Sequence, residues 1–184
     1  MHDLSEKNIL LITSNRGTEQ DELKVPAQRL AEAGANVVIA APETGEVQTL
    51  VGDWDLGETW PAARRLDEVS AAGYDLLLVP GGTLNADALR LDEQALALAR
   101  AFADAAKPIA AICHAPWLLV EAGLLNGKTL TSYASVKTDV VNAGGSWRDV
   151  EVFRCPANGW PLITSRNPGD LDAFVQAIAD ELAG

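Results

Sequence analysis

Short apolar runs alternate with segments of helical periodicity along this chain, and the alternation restricts the fold more than any other feature. Residues 8–13, 74–79 and 108–112 are apolar runs of strand length, and residues 36–41 form a similar run. Strands that are apolar at consecutive positions are typical of parallel sheets covered on both faces. The pattern therefore predicts an α/β fold with a mostly parallel sheet and helices on both faces.

Three long helices are predicted between these strands and at the end of the chain, over residues 18–34, 92–106 and 170–182, because apolar side chains recur there at helical spacing. Pro26 lies inside the first and should kink it. Residues 150–153 and 162–164 indicate a β-hairpin. With 184 residues and no linker or repeat, the chain is expected to be a single domain over residues 1–184.

The charge balance excludes two classes of partner. Asp and Glu number 26 against 14 Lys and Arg, a formal net charge of −12. Nucleic acids and anionic membranes both require positive charge, so neither is an expected partner. Residues 1–7 lack the apolar core of a signal peptide, and no apolar run is long enough for a membrane span, so we expect a cytoplasmic protein.

The two cysteines are not spaced as a disulfide framework or a metal site. Cys113 lies at the corner between the strand at 108–112 and a helix that begins near Pro116. Reactive residues at such corners need small residues two positions before and after, and Ala111 and Ala115 meet that need. Helix N-termini favour thiolates, so the pKa of Cys113 is expected to fall. The alternative is a buried structural cysteine, which we expect for Cys155 at the hairpin edge.

Other loops follow neighbouring strands and should converge on Cys113, because the carboxyl ends of parallel strands share one edge of the sheet. The loop at residues 80–87 begins with Gly81 and Gly82, whose bare N–H groups form either an oxyanion hole or only a turn. Glu19 and Glu22, three residues apart, can share one helix face near the site. Their alternative is a solvent-exposed first turn.

Six stretches together resemble the PfpI family, the intracellular-protease-like branch of the class I glutamine-amidotransferase-like superfamily. These are residues 22–26 (ELKVP), 78–82 (LVPGG), 85–91 (NADALRL), 111–117 (AICHAPW), 131–133 (TSY) and 164–166 (TSR). The superfamily also contains the Parkinson-disease-associated protein deglycase, and general stress proteins are related. The resemblance covers nearly the whole chain and implies a flavodoxin-like three-layer sandwich.

The resemblance also implies a role for each residue of a site without a metal or organic cofactor. Cys113 would be the nucleophile and His114 its acid or base. The other implied residues are Glu22, which sets thiol protonation, Glu19 beside it, Gly81 and Gly82 of the oxyanion loop, Tyr133 in the pocket, and Asp87, which would reach His114 from a neighbouring subunit. Direct contact between the adjacent Cys113 and His114 side chains would require a strained elbow.

Three functions remain open at this point. The first is carbonyl chemistry, with Cys113 adding to methylglyoxal or to early adducts on proteins. The second is an intracellular cysteine peptidase using Cys113, His114 and Asp87. The third is a redox sensor in which Cys113 is oxidised to sulfenic acid. The expected partners are a small carbonyl substrate or a glycated protein, and further copies of this chain in a homo-oligomer with the site near the interface.

Overall fold

A computed structural model describes residues 2–184. The strands are β1 (Asn8–Ile12), β2 (Arg16–Glu19), β3 (Asn36–Ala41), β4 (Gly45–Val51), β5 (Asp55–Ala62), β6 (Arg64–Arg65), β7 (Leu76–Val79), β8 (Ile109–Ile112), β9 (Thr129–Leu130), β10 (Ser146–Trp147), β11 (Val152–Cys155) and β12 (Leu162–Ser165). The α-helices are α1 (Gln20–Glu32), α2 (Thr83–Arg90), α3 (Glu93–Asp104), α4 (Pro116–Glu121), α5 (Lys137–Asn142) and α6 (Leu171–Ala183).

Seven strands form the central sheet in the order β11-β12-β8-β7-β1-β3-β6. Every pairing in it is parallel except that of β11 with β12, which is the antiparallel hairpin that the sequence predicted. The apolar runs at 8–13 and 74–79 pair directly as β1 and β7, with Leu10 opposite Leu77. Their side chains are fully buried, as expected for strands covered on both faces.

Two hydrophobic cores lie on opposite faces of this sheet and make the fold a three-layer sandwich. Helices α1 and α6 cover one face, where Leu30 and Phe174 are fully buried. Helices α3 and α4 cover the other face with Phe102 and Leu118. The predicted α/β sandwich with a mostly parallel sheet is therefore confirmed.

Two local predictions were wrong, and both corrections concern segments beside the candidate site. Residues 16–19 form strand β2, which pairs with β4 in a separate three-stranded sheet, so α1 begins at Gln20 rather than at Thr18. The loop predicted over residues 80–87 ends at Gly82, because helix α2 begins at Thr83. Helix α1 runs through Pro26 as one continuous element.

Candidate active site

Cys113 occupies a strained backbone position between β8 and α4. Its φ is 63°, in the left-handed region that residues with a Cβ rarely adopt. Its N–H donates to the carbonyl of Ser165 at 3.0 Å, and its own carbonyl accepts from the N–H of Tyr133 at 2.8 Å. These two bonds tie the corner to its neighbours on both sides, and they hold the thiol in a conformation that a free chain would avoid.

Small residues surround this corner, as the nucleophile-elbow interpretation requires. Ala111 and Ala115 are fully buried. A Cβ on Gly81 would lie 2.7 Å from the Cβ of Cys113 and 2.5 Å from Oε2 of Glu22. The backbone of the Gly81 loop therefore approaches the cysteine more closely than any larger residue would allow.

Glu22 is fully buried beside Cys113 on the first turn of α1. Its Oε2 accepts the N–H of Gly81 at 2.8 Å, whereas its Oε1 has no hydrogen-bond partner of good geometry among residues 2–184. Burial raises the pKa of Glu22 to about 8, against the opposing effects of the nearby Cys113 thiol and of the hydrogen bond from Gly81. This carboxyl therefore still holds a proton at neutral pH.

The pKa of the Cys113 thiol is raised by burial and by the negative charge of an ionised Glu22. The expectation of a lowered pKa was therefore wrong in direction, because desolvation outweighs the helix N-terminus. The backbone N–H groups of Gly82 and His114 do act in the expected sense, since hydrogen bonds from them favour the thiolate. Cys113 and Glu22 form one coupled pair, and the first proton leaves the pair, not either residue alone.

The two N–H groups near the sulfur come from different loops. Gly82 has a φ of 86°, and a Cβ there would clash with the carbonyl of Gly17 and approach the nitrogen of Glu19 to 2.6 Å. The turn after β7 is thus open only to glycine. Its N–H and that of His114 lie close enough to Sγ of Cys113 to lower the pKa of the thiol, against the larger effect of burial.

The His114 side chain contacts the thiol directly, because the strained corner turns the two adjacent side chains together. Its Nδ1 lies 3.2 Å from Sγ of Cys113, and its Nε2 lies 3.2 Å from Oγ of Ser135. The ring stacks on Tyr133 with centroids 4.5 Å apart. Burial lowers the pKa of His114, which keeps the imidazole neutral and able to accept a proton near pH 7.

The turn of the β4–β5 hairpin closes over the site through two carboxylates. Oε2 of Glu19 accepts the N–H of Gly52 at 2.9 Å. Both carboxylate oxygens of Asp53 bond Thr83, from its N–H at 2.8 Å and from its hydroxyl at 2.6 Å. Burial raises the pKa of Glu19, and the negative charges of Asp53 and Asp21 raise it further. The hairpin is therefore fixed to the start of α2.

A cavity of about 510 Å³ opens onto the sulfur. Its lining includes six of the residues singled out in the sequence, namely Glu19, Glu22, Gly82, Cys113, His114 and Tyr133. Gly81 lies behind this lining, bonded to Glu22. Asp87 is exposed on α2 and does not line the cavity in this chain, so its reach to His114 from another subunit stays a prediction.

Sequence reasoning missed five further residues that line the cavity or bond its histidine, Gly52, Asp53, Thr83, Pro168 and Ser135. Ser135 follows Tyr133 by two residues, and no sequence motif marks it. The Gly52-Asp53 pair marks a hairpin turn, which was the only local signal for Asp53. Nothing local connects that turn to the start of α2.

The model of the DJ-1/PfpI family matches residues 7–181. The chain belongs to the DJ-1/PfpI family. Deglycase PfpI of Pyrococcus furiosus is 38% identical over 168 residues, covering 91% of this chain and 95% of that protein. YraA of Bacillus subtilis, whose name describes a cysteine protease, is 36% identical over 171 residues, covering 93% of this chain and 95% of that protein.

The fold comparison agrees with the family assignment. The crystal structure of Drosophila melanogaster DJ-1beta superimposes with a TM-score of 0.85 at 33% identity, covering 97% of this chain and 91% of that one. The flavodoxin-like architecture expected from the resemblance is therefore confirmed. Among residues 2–184, no helix combines the length and apolarity needed to cross a membrane.

Proposed function

We propose that this protein is a cysteine-dependent, stress-protective enzyme that converts methylglyoxal to lactate or removes early carbonyl adducts from proteins. The observation that carries the proposal is the position of Cys113, whose sulfur faces a cavity and meets a protonatable carboxyl and two backbone N–H groups. The name of the Pyrococcus relative, a deglycase, supports this substrate class.

The first step would be addition of Sγ of Cys113 to the aldehyde carbon. In the fraction of molecules in which Glu22 is ionised, a sulfur–carbon bond forms as the carbonyl π electrons move onto oxygen, and the thiol proton passes to the Glu22 carboxylate. The N–H groups of Gly82 and His114 would stabilise the resulting oxyanion. Since the pKa of Glu22 is about 8, this carboxyl is suited to exchange a proton near neutral pH.

The second step would be an internal redox rearrangement of the adduct. Glu22 first passes the proton it received to the oxyanion. His114 or the restored Glu22 carboxylate then removes the proton from the carbon that bears sulfur, and a proton returns to the neighbouring carbon through an enediol. The first carbon is oxidised and the second is reduced, so no external electron carrier takes part. Water then cleaves the lactoyl thioester, which releases lactate and restores the thiol, and the net change is addition of one water molecule.

An early adduct on a protein amine would react at the same sulfur. The sulfur displaces the amine from the adduct carbon, and the amine leaves with a proton supplied by Glu22 or His114. Tyr133, at the mouth of the cavity, is 43% exposed, so a protein-bound adduct has a side from which to approach.

We further propose a homo-oligomer in which the site lies near an interface. Large apolar side chains stand exposed on the elements around the cavity, Trp54 on the hairpin turn at 89% and Leu91 after α2 at 74%. Asp87 lies on the outer face of α2, where only another copy of the chain would bring it to a His114. Light scattering should therefore report more than one chain per particle. A monomeric particle would contradict the homo-oligomer and the contact between Asp87 and a His114 of another copy.

A cysteine peptidase is the second candidate. The 3.2 Å separation of Sγ and Nδ1 of His114 favours it, and so does the name of YraA. A Cys-His-acid triad requires a carboxylate at the second nitrogen of the histidine. Among the described residues of this chain, Nε2 of His114 meets only the hydroxyl of Ser135, so the carboxylate would have to come from Asp87. Hydrolysis of short fluorogenic peptides, abolished by Asp87→Asn, would support it. No hydrolysis by the assembled protein would dismiss it.

The proposed function is tested by lactate formation from methylglyoxal. The wild type and Cys155→Ser should produce lactate at similar rates, whereas Cys113→Ser should be slower by about 1,000-fold or more, as expected when a covalent nucleophile is removed. Lactate production that survives Cys113→Ser would overturn the proposal. Circular dichroism of each variant serves as the folding control.

A further inference from the structure

The cavity over Cys113 carries acidic side chains and no permanently cationic ones among residues 2–184. Glu19, Glu22 and Asp53 all line it, and no Lys or Arg does. His114 is the one basic group in the lining, and burial lowers its pKa toward the neutral form. A molecule that reaches the sulfur therefore meets negative charge without a compensating cation.

The carboxylate of Asp53 is held at the cavity wall, where its negative charge acts on the groups around the sulfur. Its φ of 66° is in the left-handed region, and its two bonds to Thr83 hold the carboxylate at the cavity wall. Its negative charge changes the pKa of Glu19, Glu22 and His114. A charge that acts on three groups around the sulfur also acts on a substrate placed among them.

Glu22 adds a second observation that points toward a ligand. The side chain is fully buried, and its Oε1 has no partner of good geometry within the described chain. A ligand that places a polar group against this oxygen would satisfy it. The negative charge at the wall of the cavity comes from Glu19 and Asp53, and Glu22 adds an unsatisfied polar atom at its base.

We propose that Asp53 and Glu19 set the charge selectivity of this site, admitting uncharged or cationic carbonyl compounds to Cys113 and repelling 2-oxo acids and other anions. The inference deepens the proposed function and rests on it for the identity of the substrates. It explains how a 2-oxoaldehyde would be distinguished from 2-oxo acids of similar size. It also favours release of a carboxylate product.

The test uses a pair of alkylating probes that differ in charge and little in size, iodoacetamide and iodoacetate. In each, Sγ forms a bond to carbon and iodide leaves. Rates at Cys113 are measured at pH 8 by mass spectrometry and divided by the rates of glutathione in the same buffer. The wild type should prefer iodoacetamide over iodoacetate by about tenfold more than glutathione does, as expected for a nearby fixed charge.

Asp53→Asn removes the charge and keeps an oxygen to accept the N–H of Thr83, while its NH2 group can donate to the Thr83 hydroxyl oxygen, which now acts as the acceptor. It should lower that preference by about threefold or more. Glu19→Gln, which likewise keeps an acceptor for Gly52, should act in the same direction. Asp104→Asn, an exposed position on α3, is the matched control and should leave the preference unchanged. Added salt should raise the rate of alkylation by iodoacetate, because it screens the repulsion, and should leave the rate with iodoacetamide unchanged.

A wild-type preference equal to that of glutathione would overturn the inference, and so would an unchanged preference in both Asp53→Asn and Glu19→Gln. Because alkylation requires no turnover, charge selectivity without lactate formation would contradict the proposed function while supporting the selectivity of the cavity. A Cys113 that reacts with neither probe would contradict both.

Discussion

Cys113 and Cys155 are both buried, at 6% and 4% exposure, and both follow or end a strand of the central sheet. The surroundings of the two sulfurs differ. Cys113 has a left-handed backbone, a carboxyl neighbour and a cavity, whereas Cys155 lies in the regular strand β11 and accepts the N–H of Thr129 at 3.3 Å. Burial alone therefore does not separate a reactive thiol from a structural one; backbone geometry and an open path do.

The neighbouring ionisable groups extend this contrast. Glu22, beside Cys113, keeps an unpaired oxygen. Lys128, beside Cys155, is also fully buried, but its ammonium donates to the carbonyls of Ala157 and Trp160 and lies 3.5 Å from the centre of the Trp160 ring. The unpaired oxygen of Glu22 lowers the stability of the region around Cys113. The hydrogen bonds of the Lys128 ammonium stabilise the loops around Cys155.

The largest expected effect on stability comes from Glu22. Its pKa is raised from 4.5 to about 8 in the folded protein, so the folded state binds more protons than the unfolded state between those values. Stability from this group is fully present below pH 4.5 and is lost as pH rises through about 8. Glu22→Gln should therefore be more stable than the wild type by roughly 4 to 5 kcal/mol at pH 9.

Urea unfolding at pH 5 and pH 9 measures this difference. At pH 5 the variant and the wild type should differ much less. If the free energy of unfolding of the variant and the wild type differed equally at both pH values, burial would not raise the pKa of Glu22. The electrostatic contrast between the surroundings of Cys113 and Cys155 would then be wrong.

Lys128→Met should destabilise the protein by about 2 kcal/mol, because two buried carbonyls lose their donor. Thermal unfolding measures the loss. The activity that depends on Cys113 should stay within about twofold of the wild type, since Lys128 lies beside Cys155 and does not line the cavity. A variant that keeps its stability would contradict the structural role given to Lys128.

The smallest of these effects concerns oxidation. Mild peroxide should modify Cys113 at least about tenfold faster than Cys155, because only Cys113 faces a cavity. Peptide mass spectrometry over a time course gives both rates, and Cys155→Ser should leave the rate at Cys113 unchanged. Equal rates at the two cysteines would contradict the redox-sensor alternative, and they would contradict the difference in accessibility between Cys113 and Cys155.

The sequence predicted the sheet and the elbow because both depend on local patterns. Residues 8–13 and 108–112 are apolar at consecutive positions, and Cys113 follows the second run directly. The contribution of Asp53 was not predictable, because it depends on a hairpin turn that packs against α2, 30 residues along the chain. Such a contact leaves no periodicity in the sequence.

The direction of the Cys113 pKa could not be predicted for a related reason. A helix N-terminus is visible in the sequence, but the degree of burial around the sulfur is a property of the packed molecule. In the same way, Glu22 on a first helical turn is expected at the surface, and only the packing of α1 against the Gly81 loop buries it. Tertiary contacts therefore decided the electrostatics of the site.

The coupled pair of Cys113 and Glu22 is the central claim, and the pH dependence of iodoacetamide alkylation at Cys113 tests it most directly. In the wild type the rate should rise with a midpoint near pH 8, where the pair loses its first proton. In Glu22→Gln that rise should disappear, and the rate at pH 8.5 should fall by about tenfold because no carboxylate accepts the thiol proton. Identical profiles in the two proteins would contradict the account.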